Sequence, residues 1–238
     1  HYRDKYVNNK ARVYSGACTR GGRFADCEGL TSIFYACAFI GNLAGVDRDG
    51  TPIAENSRGG AVYVRVYPRA EFINCTFSDN RSVGTSSAAA DSLYHTDESN
   101  GFNGVGGDSD HSRRSTIVNC AFYGTGTKPE VDDTGDGLTN DGTAWEYLNY
   151  SCLEQGENSA STLSETGNIT ADPLFSSTSN PKLKEESPCI NAGTVVTNYN
   201  DYNPRDVNKE PSWGPKPDIG AYFLQPSGGG RPATLPTM

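Results

Sequence analysis

One 22-residue window recurs along this chain and constrains its fold more than any other feature. Gly21–Asn42 (GGRFADCEGLTSIFYACAFIGN) aligns without a gap on Gly59–Asn80 (GGAVYVRVYPRAEFINCTFSDN) at a shift of 38 residues. The Gly-Gly pairs match, as do Phe34/Phe72, Cys37/Cys75, Phe39/Phe77 and Asn42/Asn80. A third copy, Ile117-Val118-Asn119-Cys120-Ala121-Phe122, follows with its cysteine 45 residues after Cys75. A fourth and weaker copy is Tyr147-Leu148-Asn149-Tyr150-Ser151-Cys152. A repeat of this kind is one unit that buries its apolar face only against its neighbours, and one turn takes roughly 20–30 residues.

The unit reads as strand. Period-2 alternation in Phe72–Phe77 sends Ile73, Cys75 and Phe77 to one face, and residues 33, 35, 37 and 39 likewise share a face. A small Cys between large apolar residues suits a narrow interior, where like residues stack from one repeat to the next. Asn42 and Asn80 then sit at turns and bond backbone groups of their own and neighbouring repeats. Gly-Gly before the second strand allows positive φ at another corner. Shifts of 38 and 45 leave room for one turn plus loops: Gly41 to Arg58, Arg81 to Gly107 and Tyr123 to Ala144. These follow equivalent strands and are expected on one side, the side repeat folds often use for binding.

Composition agrees with an all-β chain. Hydrophobic residues make up 35% and charged ones 21%, so Gly, Ser, Thr, Asn and Asp fill the balance, which disfavours helices. The formal net charge of −9 argues against a nucleic-acid partner, which needs clustered Lys and Arg. No run of 18 apolar residues provides a membrane span. The expected organisation is one domain over 1–225 with a flexible tail over 226–238. The opening His1-Tyr2-Arg3 reads as a trimmed or mature start. Residues 1–20 look too short and too poor in apolar residues to cap a solenoid. The chain is therefore expected to be the C-terminal part of a longer protein, or to pack that end on another subunit, itself included.

The motif Phe-x-Asn-Cys-x-Phe-x-x-Asn, with Gly-Gly-Ala-x-Tyr upstream, resembles polymorphic outer membrane protein repeats. The C-terminal third resembles the end of bacterial surface β-helix proteins of the choice-of-anchor Q type. The residues concerned are Tyr150-Ser151-Cys152-Leu153-Glu154, Gly167 through Phe175, Leu183 through Gly193 and Asp218-Ile219-Gly220-Ala221-Tyr222. Phe223 stands where that pattern has an acid, and Asp201-Tyr202-Asn203-Pro204-Arg205 replaces its Asp-Gly-x-x-Arg stretch. The resemblance implies a right-handed parallel β-helix, pectin-lyase-like in architecture, secreted or on a bacterial cell surface. It implies no single activity, because such folds include adhesins, surface proteins and polysaccharide lyases.

Candidate sites each have a plain alternative. Asp132, Thr134 and Asp136 at alternate positions, with Asp141 nearby, resemble a calcium loop; the alternative is a solvated Asp/Gly turn. Asp47-Arg48-Asp49-Gly50 is a shorter version. Asp108, Asp110, His111, Arg113 and Arg114 combine acids, an imidazole and guanidinium groups. A polysaccharide lyase needs such groups to neutralise a uronate and remove its C5 proton; the alternative is a surface ion-pair turn. Tyr199, Tyr202 and Trp213 offer rings for stacking on sugars or, alternatively, cover the solenoid, and Tyr94 and Phe102 also lie in loop-like stretches. Trp145 begins a strand. Cys37, Cys75 and Cys120 read as an internal stack, with a disulfide between neighbours left open. Cys18 and Cys27 could close a surface loop. The seven cysteines leave at least one without an intrachain partner.

These features point to a non-enzymatic, secreted or cell-surface β-helix module. It would present its loops to a glycan or an extracellular protein, in an adhesive or structural role. One alternative is a polysaccharide lyase or glycoside hydrolase acting on acidic polysaccharide. Another is a structural subunit of an extracellular filament or assembly.

Overall fold

The computed structural model describes residues 1–21, 31–53, 57–65, 69–85, 89–96, 115–128, 130–132, 145–153, 166–196, 206–209 and 216–224. All regular structure in them is strand, and strands of successive repeats pair in parallel. A six-stranded sheet runs β1 (Lys5–Val7), β6 (Ala38–Ile40), β11 (Thr76–Ser78), β15 (Ala121–Tyr123), β18 (Cys152–Leu153) and β19 (Ile169–Thr170). A second sheet orders β17 (Trp145–Asn149), β14 (Ser115–Val118), β10 (Arg69–Ile73) and β5 (Thr31–Tyr35). A third holds β12 (Arg81–Ser82), β7 (Leu43–Ala44) and β2 (Lys10–Ala11). A fourth holds β16 (Val131–Asp132), β13 (Leu93–Thr96), β9 (Val62–Arg65) and β4 (Cys18–Gly21). Two small pairs complete the set: parallel β3 (Tyr14–Ser15) with β8 (Ser57–Gly59), and antiparallel β20 (Phe175–Ser177) with β21 (Asn180–Leu183).

The repeat register is the expected one where the apolar signal is strongest. Phe72 pairs with Phe34 and Phe77 with Phe39, both at the 38-residue shift. In-register pairing stacks like on like. The rings of Tyr6, Phe39, Phe77 and Phe122 lie 4.7 Å apart and nearly parallel, and His1, Phe34 and Phe72 form a second stack at 4.7–4.8 Å. That spacing equals the strand separation in a sheet, so backbone pairing sets the ring contacts. The five phenylalanine rings, with Cys37, Cys75, Cys120, Val62, Leu93, Ile117, Leu148 and Leu153, form the main core, and Tyr6 packs against it.

Within the repeat, the single alternating strand expected over Phe72–Phe77 is in fact two strands with a corner between them. Asn74 sits at φ +51, and Ala36, Asn119 and Tyr150 hold the equivalent position at +51, +54 and +49. A left-handed residue turns the chain and resets its alternation. Phe72, Cys75 and Phe77 therefore point inward together, while Ile73 and Tyr35 form a separate outer cluster joined by Val196. The same reset places Cys152 opposite Ala121, on the outer face, and Ser151 beside Cys120.

The Gly-Gly pairs behave differently from expectation. Val62 pairs with Cys18, a shift of 44 (62 − 18), and Gly60 accepts a backbone bond from Gly16 rather than matching Gly22. The first repeat thus carries six extra residues (44 − 38) between β4 and β5, which the gapless alignment hid. Nor does Gly59 or Gly60 adopt positive φ. Both are needed for close approach: a Cβ would lie 1.9 Å from the Val62 carbonyl oxygen at Gly59, and 1.9 Å from that of Asp91 at Gly60. The three segments read as same-side loops are not simple loops either, because they contain β7 and β8, β12 and β13, and β16. Short polar strands such as Ser57-Arg58-Gly59 carry no alternation to reveal them.

Residues 1–15 form a layer of their own. Tyr2 bridges Tyr35, β1 pairs with β6 and β2 with β7 at a 33-residue shift (38 − 5). No described strand lies beyond this layer, where Tyr2, Val7, Val13 and Tyr14 are exposed. Replacing Phe77, central in the longest ring stack, by Ala removes contacts on both sides and should cost about 3–5 kcal/mol. Denaturant unfolding, read as a lower midpoint at unchanged slope, checks this.

Candidate functional site

The repeat's polar residues are organised as tightly as its rings. At the corner after β1, β6 and β11, Asn9 donates through its backbone and side-chain nitrogens to Asn42 Oδ1, at 3.1 and 2.9 Å. Asn42 does the same to Asn80 Oδ1, at 3.1 and 2.8 Å. Asn42 and Asn80 also donate back to the carbonyls of Tyr6 and Phe39, each at 3.0 Å. Asn80 then reaches Ser92 Oγ at 3.4 Å, and Ser92 donates to Glu130. This confirms the expected turn role of Asn42 and Asn80. The positive-φ residue is the one before each, Gly41 (+62) and Asp79 (+50).

Two buried carboxylates, Asp91 and Asp218, hold distant segments through backbone amides, a role that sequence reasoning assigned to neither. Asp91 accepts the Ser82 and Lys128 amides, both at 2.9 Å, and so fastens Lys128 to β12. Burial raises its pKa above the usual carboxylate value, partly offset by those bonds, and lowers that of Lys128, whose ammonium donates to the Gly84 carbonyl at 3.2 Å. Gly124 and Gly126 admit the acids, since a Cβ would come within 2.3 Å of Glu130 Oε1 and 1.7 Å of Asp91 Oδ2. The only sequence hint was the pair of glycines in Gly124-Thr125-Gly126.

Asp218, from the C-terminal motif, is the second. Its carboxylate accepts the Asn191 and Leu224 amides, each at 2.8 Å, and its carbonyl accepts Asn74 Nδ2 at 3.2 Å. Asn119 grips Thr194 through both its Oδ1 and Nδ2, at 2.8 Å each, and Ala221 N–H donates to Thr76 Oγ1 at 2.8 Å. Residues 187–196 and 216–224 are thereby laid across the outer sides of the first two sheets. They cover Ala121 and Cys152 at one end and Ala38 and Ile40 at the other. The motif sequence Asp218–Tyr222 is thus a clasp that closes the outer wall.

The remaining candidates divide by position. Asp108, Asp110, His111, Arg113, Arg114, Thr134, Asp136, Asp141, Tyr199, Tyr202, Trp213, Phe102 and Cys27 lie outside the described residues, as does 226–238. Asp132 is described only as the end of β16, paired with Tyr94. Tyr94 is not a loop ring but a fully buried residue of β13, packed with Tyr63 and Ala90. Asp47 directs Oδ1 to the amides of Asp49 and Thr51, at 3.0 and 2.8 Å, in a small hairpin where Val46 bridges Pro52. Trp145 begins β17 as expected. Among the described residues, no three His, Cys, Asp or Glu side chains converge as a metal site would require.

The interior thiols are reduced. Cys75 donates to the Phe34 carbonyl at 3.2 Å, and Cys120 to that of Phe72 at 3.4 Å. The Cys37 thiol is pushed far up by its hydrogen bond with Cys75 and by burial, and burial does the same to Cys75. Thiols held protonated and away from solvent make poor nucleophiles.

No protein-family model matches this chain, and no curated protein matches it. The likeness to surface β-helix proteins therefore rests on the motifs quoted above.

Asp218 yields a test with a definite sign. Its folded pKa is raised by burial ahead of the lowering by the two amides, so the folded state holds this proton more tightly than an unfolded Asp, near 3.9. Its contribution to stability is therefore largest below about pH 3.9 and falls as pH rises through the folded value. Asp218→Asn removes that dependence. The stability difference, wild type minus variant, should shrink as pH rises through this window in paired thermal melts. Asp218→Ala, which strands two amides, should cost about 2–4 kcal/mol at pH 7.

Proposed function

We propose that this chain is a right-handed parallel β-helix and works as a non-catalytic structural and binding module outside the cytoplasm. The observation that carries this reading is where its chemistry-bearing groups are directed. Asp91 and Asp218 accept backbone amides, Ser92 donates to Glu130, and the interior thiols donate to carbonyls. Groups committed in this way stabilise walls rather than meet a substrate.

In this reading the parallel sheets are the sides of one solenoid, and its partner is a glycan or an extracellular protein. The first layer supports a protein partner in particular. Among the described strands, β1, β2 and β4 end their sheets and β3 pairs with β8 alone, beside exposed Tyr2, Val7, Val13 and Tyr14, a surface suited to adding a further β-layer. Calcium, if bound, belongs to the acidic stretch from Asp132 to Asp141.

The test is incubation of purified protein with uronate-containing polysaccharides and calcium, followed by absorbance of the unsaturated product. The expected result is no product, together with retention on an immobilised glycan or protein ligand. Product that disappears in His111→Ala or Arg113→Ala would overturn the proposal in favour of a lyase.

A further inference from the structure

Two cysteines stand apart from the interior stack. Cys152 lies in register with Ala121 on the outer face of the six-stranded sheet, because the left-handed corner at Tyr150 puts Ser151 in the interior thiol's place. Cys189 comes from the covering segment. Its amide donates to Ser187 Oγ at 3.1 Å, and its carbonyl accepts the Ile219 amide at 2.8 Å. Both are fully buried in one cluster with Ala121 and Ile219; in the structure both are free thiols, Cys152 Sγ donates to the Ala171 carbonyl at 3.2 Å, and the neighbouring Cys152 raises the Cys189 thiol.

We infer that Cys152 and Cys189 form a disulfide that staples the C-terminal covering segment to the sheet. The interior cysteines are not equivalent candidates. Cys37, Cys75 and Cys120 occupy matching places directly before the parallel, in-register strands β6, β11 and β15, and the backbone bonds from Thr76 N to the Cys37 carbonyl and from Ala121 N to that of Cys75 hold successive layers at the strand spacing of about 4.8 Å. That exceeds the roughly 3.5–4.5 Å a disulfide spans. Cys152 and Cys189 join a strand to a non-strand turn and are not held to that spacing.

The bond forms by thiol–disulfide exchange. One thiolate attacks a small-molecule or protein disulfide, and the second thiol displaces the mixed disulfide. The two cysteines lose two protons and two electrons, and the oxidant leaves as two thiols. The Cys189 thiol is raised by the neighbouring Cys152 and by burial, so exchange is favoured before the covering segment seats. Once seated, the bond is shielded from reductant. The residues are 37 apart in sequence, a span over which cross-linking restricts the unfolded chain appreciably.

The inference relies on the proposed extracytoplasmic setting only for the oxidant available in the cell, so the test supplies its own. The full chain is refolded in a reduced/oxidised glutathione buffer, denatured, alkylated and digested without reductant. Mass spectrometry should find Cys152 and Cys189 cross-linked, with Cys37, Cys75 and Cys120 alkylated. Reduction should lower Tm by roughly 5–10 °C in wild type and leave Cys189→Ala and Cys152→Ser unchanged. Alkylation of both residues, or a cross-link from either to another thiol, would overturn the inference. Neither result depends on whether the protein binds a glycan or turns one over.

Discussion

In-register parallel pairing between repeats is the constraint on which the rest of the structure depends. It brings each residue beside its counterpart at the strand spacing, so one favourable choice of side chain is rewarded at every layer. Aromatic rings stack 4.7–4.8 Å apart because the backbone holds them there. Asparagines at the corner donate to one another for the same reason. A slip of one residue would exchange inner and outer faces throughout. It would also strand the Asn side chains in a dry interior, where an amide without partners costs several kcal/mol.

The left-handed corners convert a sheet-forming repeat into one that encloses a core. Each repeats at a fixed place: Arg3, Ala36, Asn74, Asn119 and Tyr150 at one corner, and Asn8, Gly41 and Asp79 at another. Asn tolerates this conformation best among residues with a side chain, and its amide also serves the ladder or the clasp. The outer surfaces of the sheets need covering too. That falls to the segments held by Asp218, Asn119 and Thr76, which bury Ala38, Ile40, Ala121 and Cys152. The C-terminal motif is in this sense as structural as the repeats it covers.

Sequence reasoning found the parts with a strong apolar signal. The Phe and Cys positions, the Asn turns and the all-β character could be read from Phe34 to Phe77. Three kinds of feature could not. Corners are set by φ, and nothing about Ala36 or Tyr150 announces a left-handed residue, so a continuous strand was expected where two exist. Polar layers hide their repeat: Asp4 and Arg3 occupy the positions of Cys37 and Ala36, and the match of Tyr6 to Phe39 and Asn9 to Asn42 was not apparent without them. Long-range partners also leave no local trace. Asp91 and Asp218 look like ordinary surface acids until the amides they accept are seen, and the outward placement of Cys152 follows from a corner two residues earlier. The acidic, basic and aromatic clusters singled out for function belong to segments between or beyond the described strands, where a periodic signal gives no guidance.

The most direct test of this account is the register itself. Through-hydrogen-bond couplings in an isotopically labelled sample report which amide meets which carbonyl. The structure predicts couplings from Thr76 N to the Cys37 carbonyl, from Ala121 N to that of Cys75 and from Cys152 N to that of Cys120. Finding all three would establish parallel, in-register repeats across four layers. Couplings displaced by one residue, or between neighbouring strands of the same repeat in antiparallel order, would contradict it.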